Sequence, residues 1–423
     1  MLRSMYTGVS GLRTHQLKMD VIGNNIANVN TVGFKKGKVT FQEVFYQTLK
    51  GASGGQGGKG GTNPQQVGLG VDVGAISTVH TQGPAQRTDD GLDIMINGDG
   101  FFVVSDDPNF LNRYFTRAGN FQFDGDGYLT TAEGLKVLGY TADDNGNISS
   151  QIGDIRIDKT DTVPPQASTK INFGGNLKAS TEIDKPFKMD TDIFDSLGNK
   201  YTVEFNVTKK VAEDDGNTWN VSISGIKDSN GNIVEGSDGI NFDQEISFDK
   251  DGKITGTTDA SFNIGDIIKG ANIGDNGEIK IDFSGLTQYG AEMDAKPYRG
   301  DGYGSGKVDG VAIDPKGVVE VVYTNGERKA IGQIVLAKFD NNPGLEKIGG
   351  NLFRDTRNSG EPNIVGAGSG GTGSTDAGRL EMSNVDLSQE FTEMITTQRG
   401  FQANSRIITT SDEMLQELVN LKR

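Results

Sequence analysis

Residues 387–421 read LSQEFTEMITTQRGFQANSRIITTSDEMLQELVNL. Leu387, Phe391, Met394, Gln398, Phe401, Ser405, Ile408, Asp412, Leu415 and Val419 follow one another at alternating spacings of four and three, and seven of the ten are apolar. Side chains so spaced fall on one stripe of an α-helix, and a stripe of this period is a coiled-coil seam. Ser383 with Asp386 three residues later has the spacing of a capping box, which predicts the helix start. Gly400 inside the pattern costs about 1 kcal/mol relative to Ala, which suggests a kink or the close approach of another backbone.

The same pattern stands at the other end of the chain. Leu2, Met5, Val9, Leu12, Gln16, Met19, Gly23 and Ile26 alternate at three and four, with six of eight apolar. Two seams this far apart in sequence can pair within one chain, because loop-closure cost grows only with the logarithm of length. They can equally pair between chains, and spacing leaves both open.

Between the helices the period changes to two. The segments GFFVV (100–104), YTVEFNV (201–207), WNVSIS (219–224), GEIKIDF (277–283), VVEVVY (318–323) and QIVLAKF (333–339) read as strands. They are separated by the turn pairs Asp126-Gly127, Asn145-Gly146, Asn230-Gly231, Asp251-Gly252, Asn276-Gly277 and Asn325-Gly326. The fold class expected is a mainly β body of two β-rich domains, the outer inserted in the inner, with terminal helices forming a coiled-coil-like domain.

Gly-rich stretches punctuate this order. Residues 51–70, GASGGQGGKGGTNPQQVGLG, and 366–373, GAGSGGTG, are too polar and Gly-rich for a packed core and read as linkers. Pro164-Pro165 and the run 294–306 read as boundaries. The expected organisation is a terminal helical domain (1–35 and 380–423), a linker region (36–71), an inner β domain (72–165 and 289–365), an inserted outer β domain (166–288) and a second linker (366–379).

Composition narrows the function classes. The chain has 423 residues, enough for two or three domains. Its 61 Gly against 10 Pro suit many short strands joined by tight turns. With no Cys, disulfide scaffolds, thiolate metal sites and thiol nucleophiles are excluded. Net charge is −16; residues 1–50 carry +5 and residues 376–423 carry −3, leaving −18 for the stretch between. An acidic body argues against nucleic-acid binding. The first residues carry no secretory-type apolar core, and no apolar run is long enough to span a membrane.

Catalytic and cofactor motifs fail on context. Ser53 sits in a G-x-S-x-G match, but within a Gly-rich tract rather than between strand and helix. Gly366, Gly368 and Gly371 match the dinucleotide fingerprint without a following helix, and Gly306-Lys307 lacks the rest of a P-loop. Asp124 and Asp126 would open a calcium loop whose twelfth position is Leu135 where Glu is needed; like Asp249 and Asp251 they read as hairpin turns. Only two His exist: His15 reads as a helix-surface or interface residue with a pH-sensitive assembly contact as the lesser reading, and His80 makes no zinc motif. No catalytic residue, cofactor or metal is expected.

The segment 24–35 (NNIANVNTVGFK), the stretch 97–104 (NGDGFFVV), residues 114–140 (YFTRAGNFQFDGDGYLTTAEGLKVLGY) and the tail 396–418 (TTQRGFQANSRIITTSDEMLQEL) resemble the bacterial flagellar rod and hook axial proteins. The motif positions are Asn24, Asn25, Ala27, Asn28, Gly33, Phe34, Arg399, Gly400, Phe401 and Asn404. Length, the insertion and the runs 60–71, 192–199 and 344–353 are similar to the hook branch more than to a shorter distal rod branch. The resemblance implies a self-assembling subunit of a bendable tube between rod and filament. Its polymerisation seam would be Leu2, Met5, Val9, Leu12, Met19, Ile26, Leu387, Phe391, Met394, Phe401, Ile408, Leu415 and Val419. It implies export through the flagellar type III export apparatus without a cleaved signal, and placement outside the cell in the hook. It further implies partners in the distal rod protein, the hook–filament junction protein and the hook cap protein. A distal rod subunit and a secreted β-rich adhesin are the alternatives, and crosslinking through Cys is excluded here.

Overall fold

The computed structural model describes all residues except 1, 56, 57, 59, 144, 145, 211–216, 237–239, 241, 257, 266, 269–271, 275, 276, 299, 422 and 423. Asn145 and Asn276 of the expected turns therefore lie outside the described residues. The chain is mainly β, with helix α1 at Leu2–Ala27 and helix α2 at Leu387–Asn420. It divides into two compact units. One comprises residues 1–158, 311–321 and 329–423, and the other residues 159–310 and 322–328.

The first unit holds both helices and a β core. Its long strand, residues 329–338 of Arg328–Lys338, is antiparallel to Lys136–Ala142, Phe101–Ser105 and Asn363–Gly366. Alternate side chains of these strands enter two separate clusters: Phe102, Val104, Ile334 and Leu336 in one, Phe101, Val103, Val335 and Ala337 in the other. Burial on both faces explains why FFVV and IVLA are continuous apolar runs rather than alternating ones.

The second unit packs two sheets on one core. Phe187–Phe194, Lys200–Lys209, Thr218–Lys227 and Asp243–Phe248 form an antiparallel meander. Lys170–Asn176 lies parallel to Glu278–Thr287 and antiparallel to Lys296–Tyr298. Val203, Phe205, Trp219, Val221, Phe173, Ile281 and Phe283 fill the space between them, the alternating inward set of a β-sandwich.

Two expectations need correction. The inserted domain extends beyond 166–288, because Lys296–Tyr298 pairs with residues 172–174 and Asn176 donates to the carbonyls of Ala291 (3.3 Å) and Glu292 (3.1 Å). Nor are the Gly-rich stretches free linkers where they are described. Gly37–Glu43 pairs with Val71–Thr78, Tyr46–Lys50 pairs with Gln65–Gly68, and Ser53 bridges Thr62, so residues 37–53 and 62–78 form the two sides of a β-ribbon. Residues 366–373 fold into a hydrogen-bonded loop, the Gly368 amide donating to Gly373 O (2.9 Å) and the Gly373 amide to Asp99 O (2.7 Å). The strand Ser374–Ala377 then pairs with Ile94–Asn97. Gly supplies the positive φ these tight loops need, at Gly368, Gly370 and Gly371, and composition alone does not distinguish that use from flexibility.

Candidate functional site: the helix pair and its anchorage

α1 and α2 pack antiparallel, and their contact begins with small residues. Ser4 Oγ lies 3.4 Å from Ser411 Oγ, and Lys18 Nζ reaches Glu393 at 3.2 Å. Between these ends a Cβ added at Gly8 would stand 3.1 Å from Ile408, one at Gly11 2.7 Å from the Asn404 amide, and one at Gly400 2.7 Å from the His15 ring. The close neighbour at Gly400 is thus the His15 side chain rather than the backbone expected there, and its ring also meets Phe41 edge-on at 5.6 Å. Burial, and then Lys18, lowers the His15 pKa.

The fully buried residues of the pair are Gly8, Gly11, Thr14, Ile22 and Asn25 on α1, and Glu390, Thr397 and Ser411 on α2. Thr14, Thr397 and Ser411 donate their hydroxyls back to their own helix, to Gly11 O (3.0 Å), Glu393 O (2.7 Å) and Ile407 O (2.7 Å). Each is thereby satisfied within the contact.

Relative to the expected seam, the contact is turned by one residue toward these small and polar positions. Met5, Leu12, Met19, Ile26, Met394, Phe401, Ile408 and Leu415 are half-buried. Val9, Leu387, Phe391 and Val419 are exposed, and the side chain of Leu2 lies outside the described residues. Hydrophobic periodicity finds a helix face; it does not say whether that face meets the same chain.

The start of α2 also differs. Asp386, not Ser383, is the N-cap, its carboxylate accepting from the amides of Ser388 (2.9 Å) and Gln389 (3.3 Å).

The helices are anchored to the β core of their unit by a buried polar network. Asn25 accepts from the Gly37 amide (2.9 Å) and donates to Gly37 O (2.9 Å) and to Glu390 (3.1 Å), itself paired with Lys36 at 3.4 Å. The Lys36 amide donates to Asn384 Oδ1 at 2.8 Å. At the centre Glu381 is inaccessible to solvent. It is held by Lys35 at 2.5 Å, Arg117 at 3.2 Å and the Gly83 amide at 2.8 Å. Burial lowers the pKa of both Lys35 and Arg117, and Glu381 opposes that shift in each. His80 packs against Phe101 and Phe353, and burial together with the nearby cations Lys35, Lys347 and Arg117 lowers its pKa to about 4.

The family-motif residues take distinct places in this anchorage. Gly33 has φ 69°, and a Cβ there would lie 2.6 Å from the backbone nitrogen of Ala118. Asn28 caps the end of α1 by donating to Asn24 O (2.9 Å) and accepting from Thr31 Oγ1 (3.1 Å). Ala27 is the last residue of α1, and Phe34 lies under Lys347 Nζ at 4.9 Å. Asn404 donates to Gly400 O at 3.0 Å and fills the gap left by Gly11. Arg399 is exposed and is not brought into this cluster.

Sequence reasoning missed Glu381, Glu390 and Arg117 as members of this buried network. Glu390 carried a readable signal, a charge sitting four residues before Met394 on the helix stripe. Glu381 and Arg117 carried none, since they meet across 264 residues of sequence.

Comparison with known proteins now gives this architecture a family. Four family models match in order: "Flagella basal body rod protein" over residues 5–35, "Flagellar hook protein FlgE/F/G D1 domain" over 95–177, "Flagellar basal body protein FlaE D2 domain" over 187–303, and "Flagellar basal body rod FlgEFG protein C-terminal" over 376–421. The flagellar hook protein FlgE of Borreliella burgdorferi is 39% identical and that of Treponema pallidum 38% identical, each over 100% of both chains. The flagellar basal-body rod protein FlgG of Bacillus subtilis is 34% identical, also over 100% of both, so chain length does not by itself separate hook from rod. Neither described helix is long and apolar enough to cross a membrane. Four family models in chain order and relatives matched over their full length agree, and the chain is a member of the bacterial flagellar hook protein family.

Proposed function

We propose that this chain is the structural subunit of a bacterial flagellar hook, assembling with copies of itself into a flexible helical tube that carries torque from rod to filament. One observation carries the reading. The face on which α1 and α2 meet is mostly small and polar, while Tyr6, Phe391, Ile395, Met414 and Leu418 remain exposed, so much of the apolar surface of the pair is left for other copies. In a tube these helices supply the inner wall. The Lys35–Glu381–Arg117 anchorage makes helix pair and inner β core turn together, which is what a torque-bearing subunit requires. The role is mechanical rather than catalytic.

In this reading the subunit leaves the cell through the flagellar type III export apparatus, adds beneath a hook cap protein, and contacts the distal rod protein at one end and the hook–filament junction protein at the other. A rod subunit is the second reading, favoured by the end-to-end match to the Bacillus subtilis rod protein.

Electron microscopy of the purified chain salted out with ammonium sulfate, which strengthens apolar burial, separates them. Curved tubes support the hook and straight ones the rod, while persistent monomers contradict both. Phe401→Asp and Leu415→Asp, which put a charge among apolar neighbours, should abolish tubes and motility while leaving the second unit folded; motile cells carrying either change would refute the assembly role of the helices.

A further inference from the structure

α2 exposes two apolar ridges, and they differ in place and direction. Near its N-terminus Leu387, Phe391 and Ile395, four residues apart, are 40%, 48% and 53% exposed. Near its C-terminus Ile407, Met414 and Leu421, seven apart, are 43%, 48% and 82% exposed. Phe391 and Ile395 each follow a residue on the α1-facing side, Glu390 and Met394, by one position, roughly 100° to one flank. Ile407 and Met414 each precede one, Ile408 and Leu415, by one position, roughly 100° to the other flank. The residues that would extend the first ridge along its flank, Gln398 and Gln402, are polar, so each ridge ends where it stands. From Phe391 to Met414 the helix rises about 35 Å.

A two-fold dimer could pair unlike ridges reciprocally only if both faced the same partner; lying on opposite flanks they cannot, so a two-fold dimer of side-by-side helices leaves one ridge in water. A head-to-tail contact covers both with one repeating interface and does not close. We propose that the ridge Leu387–Phe391–Ile395 of one copy seats on the ridge Ile407–Met414–Leu421 of the next, staggering successive copies by about 35 Å along α2. This rests on the polymer reading above and adds to it which surface meets which. Met414 suits such a seat, because its unbranched chain adapts to the Phe391 ring.

The test uses the full chain in two versions, Phe391→Glu and Met414→Glu. Both positions are exposed, so folding is preserved, and an unchanged helical circular dichroism signal verifies it; Ile395→Ser and Ile407→Ser serve as milder replacements. Each variant alone should remain monomeric where the wild type forms tubes, with its critical concentration raised roughly 30-fold or more. Mixed one to one, the two should form a heterodimer and stop, because the mixture retains one good ridge pair. Dimers of either variant alone would show that a ridge pairs with itself, and tubes from either variant, or a mixture that stays monomeric while the wild type polymerises, would overturn the proposal. Wild-type chains that never polymerise would instead sink the polymer reading on which it rests.

Discussion

The second unit and the terminal helix pair bury their surfaces in opposite ways. In the former, Trp219, Phe205, Phe173 and Phe283 are buried, Phe173 meeting Phe205 edge-on and Phe283 at a tilt, each at 5.1 Å, and the interior is overwhelmingly apolar. In the helix pair the fully buried positions are Gly, Ser, Thr, Asn and Glu with the one apolar residue Ile22, most apolar side chains are only half-buried, and Phe391, Ile395, Met414 and Leu418 face solvent. A domain of the first kind is stable alone, since burying each large side chain is worth about 1.5–3 kcal/mol. A helix pair of the second kind is half an interface, and most helical stability in proteins comes from packing an apolar face.

The largest break in this contrast should come from Glu381→Ala. Removing the carboxylate leaves Lys35 and Arg117 as uncompensated buried charges, a loss of about 3–5 kcal/mol. Denaturant unfolding followed by site-specific probes should show the first unit melting early while Trp219 fluorescence, reporting the second, keeps its midpoint. Equal shifts in both would contradict separate cores.

A pH effect of similar rank should come from His80. Folded, its pKa is lowered to about 4; unfolded it returns to the ordinary histidine value of 6.5, so between those values the unfolded chain binds the extra proton. Stability from this group is complete above about 6.5 and is lost as pH falls toward 4, by at most roughly 3 kcal/mol. His80→Gln should flatten that slope in the first unit and leave the second unit's pH profile unchanged.

Gly33→Ala tests the anchorage more gently. It forces an L side chain to adopt φ 69° with its Cβ 2.6 Å from the backbone of Ala118, a cost of about 1–3 kcal/mol, read as lowered thermal stability of the first unit alone. The smallest effect on folding should be that of Leu387→Ser. Stability should stay within about 0.5 kcal/mol of wild type, yet tube formation should weaken, sharpening the distinction between residues that hold the chain together and residues kept for its neighbours.

Much of this architecture was legible in the amino-acid sequence. Period-two runs such as 201–207 and 318–323 lie in observed strands, and α2 covers the stripe that began at Leu387. What escaped was whatever depends on distant partners. The stripe's apolar residues marked a helix but not the one-residue turn that points Gly11 at Asn404. Gly-rich composition marked residues 51–70 and 366–373 as loops but not their pairing, because the same glycines serve a flexible chain and a tight positive-φ turn. Asn24, Asn25, Gly33 and Gly400 were singled out by resemblance; only geometry shows that Asn25 joins Gly37 to Glu390 and that Gly400 admits His15. Arg117 and Glu381 stood in the sequence as ordinary charges until folding brought them to 3.2 Å.

Amide hydrogen exchange of the wild-type chain before and after polymerisation tests the central claim most directly. The account predicts strong protection of Lys200–Lys209 and Thr218–Lys227 in both states, and fast exchange along α1 and α2 in the monomer that slows by orders of magnitude in the tube. Equal, strong protection of both helices in the free monomer would contradict it, since the pair would then be complete without a second copy.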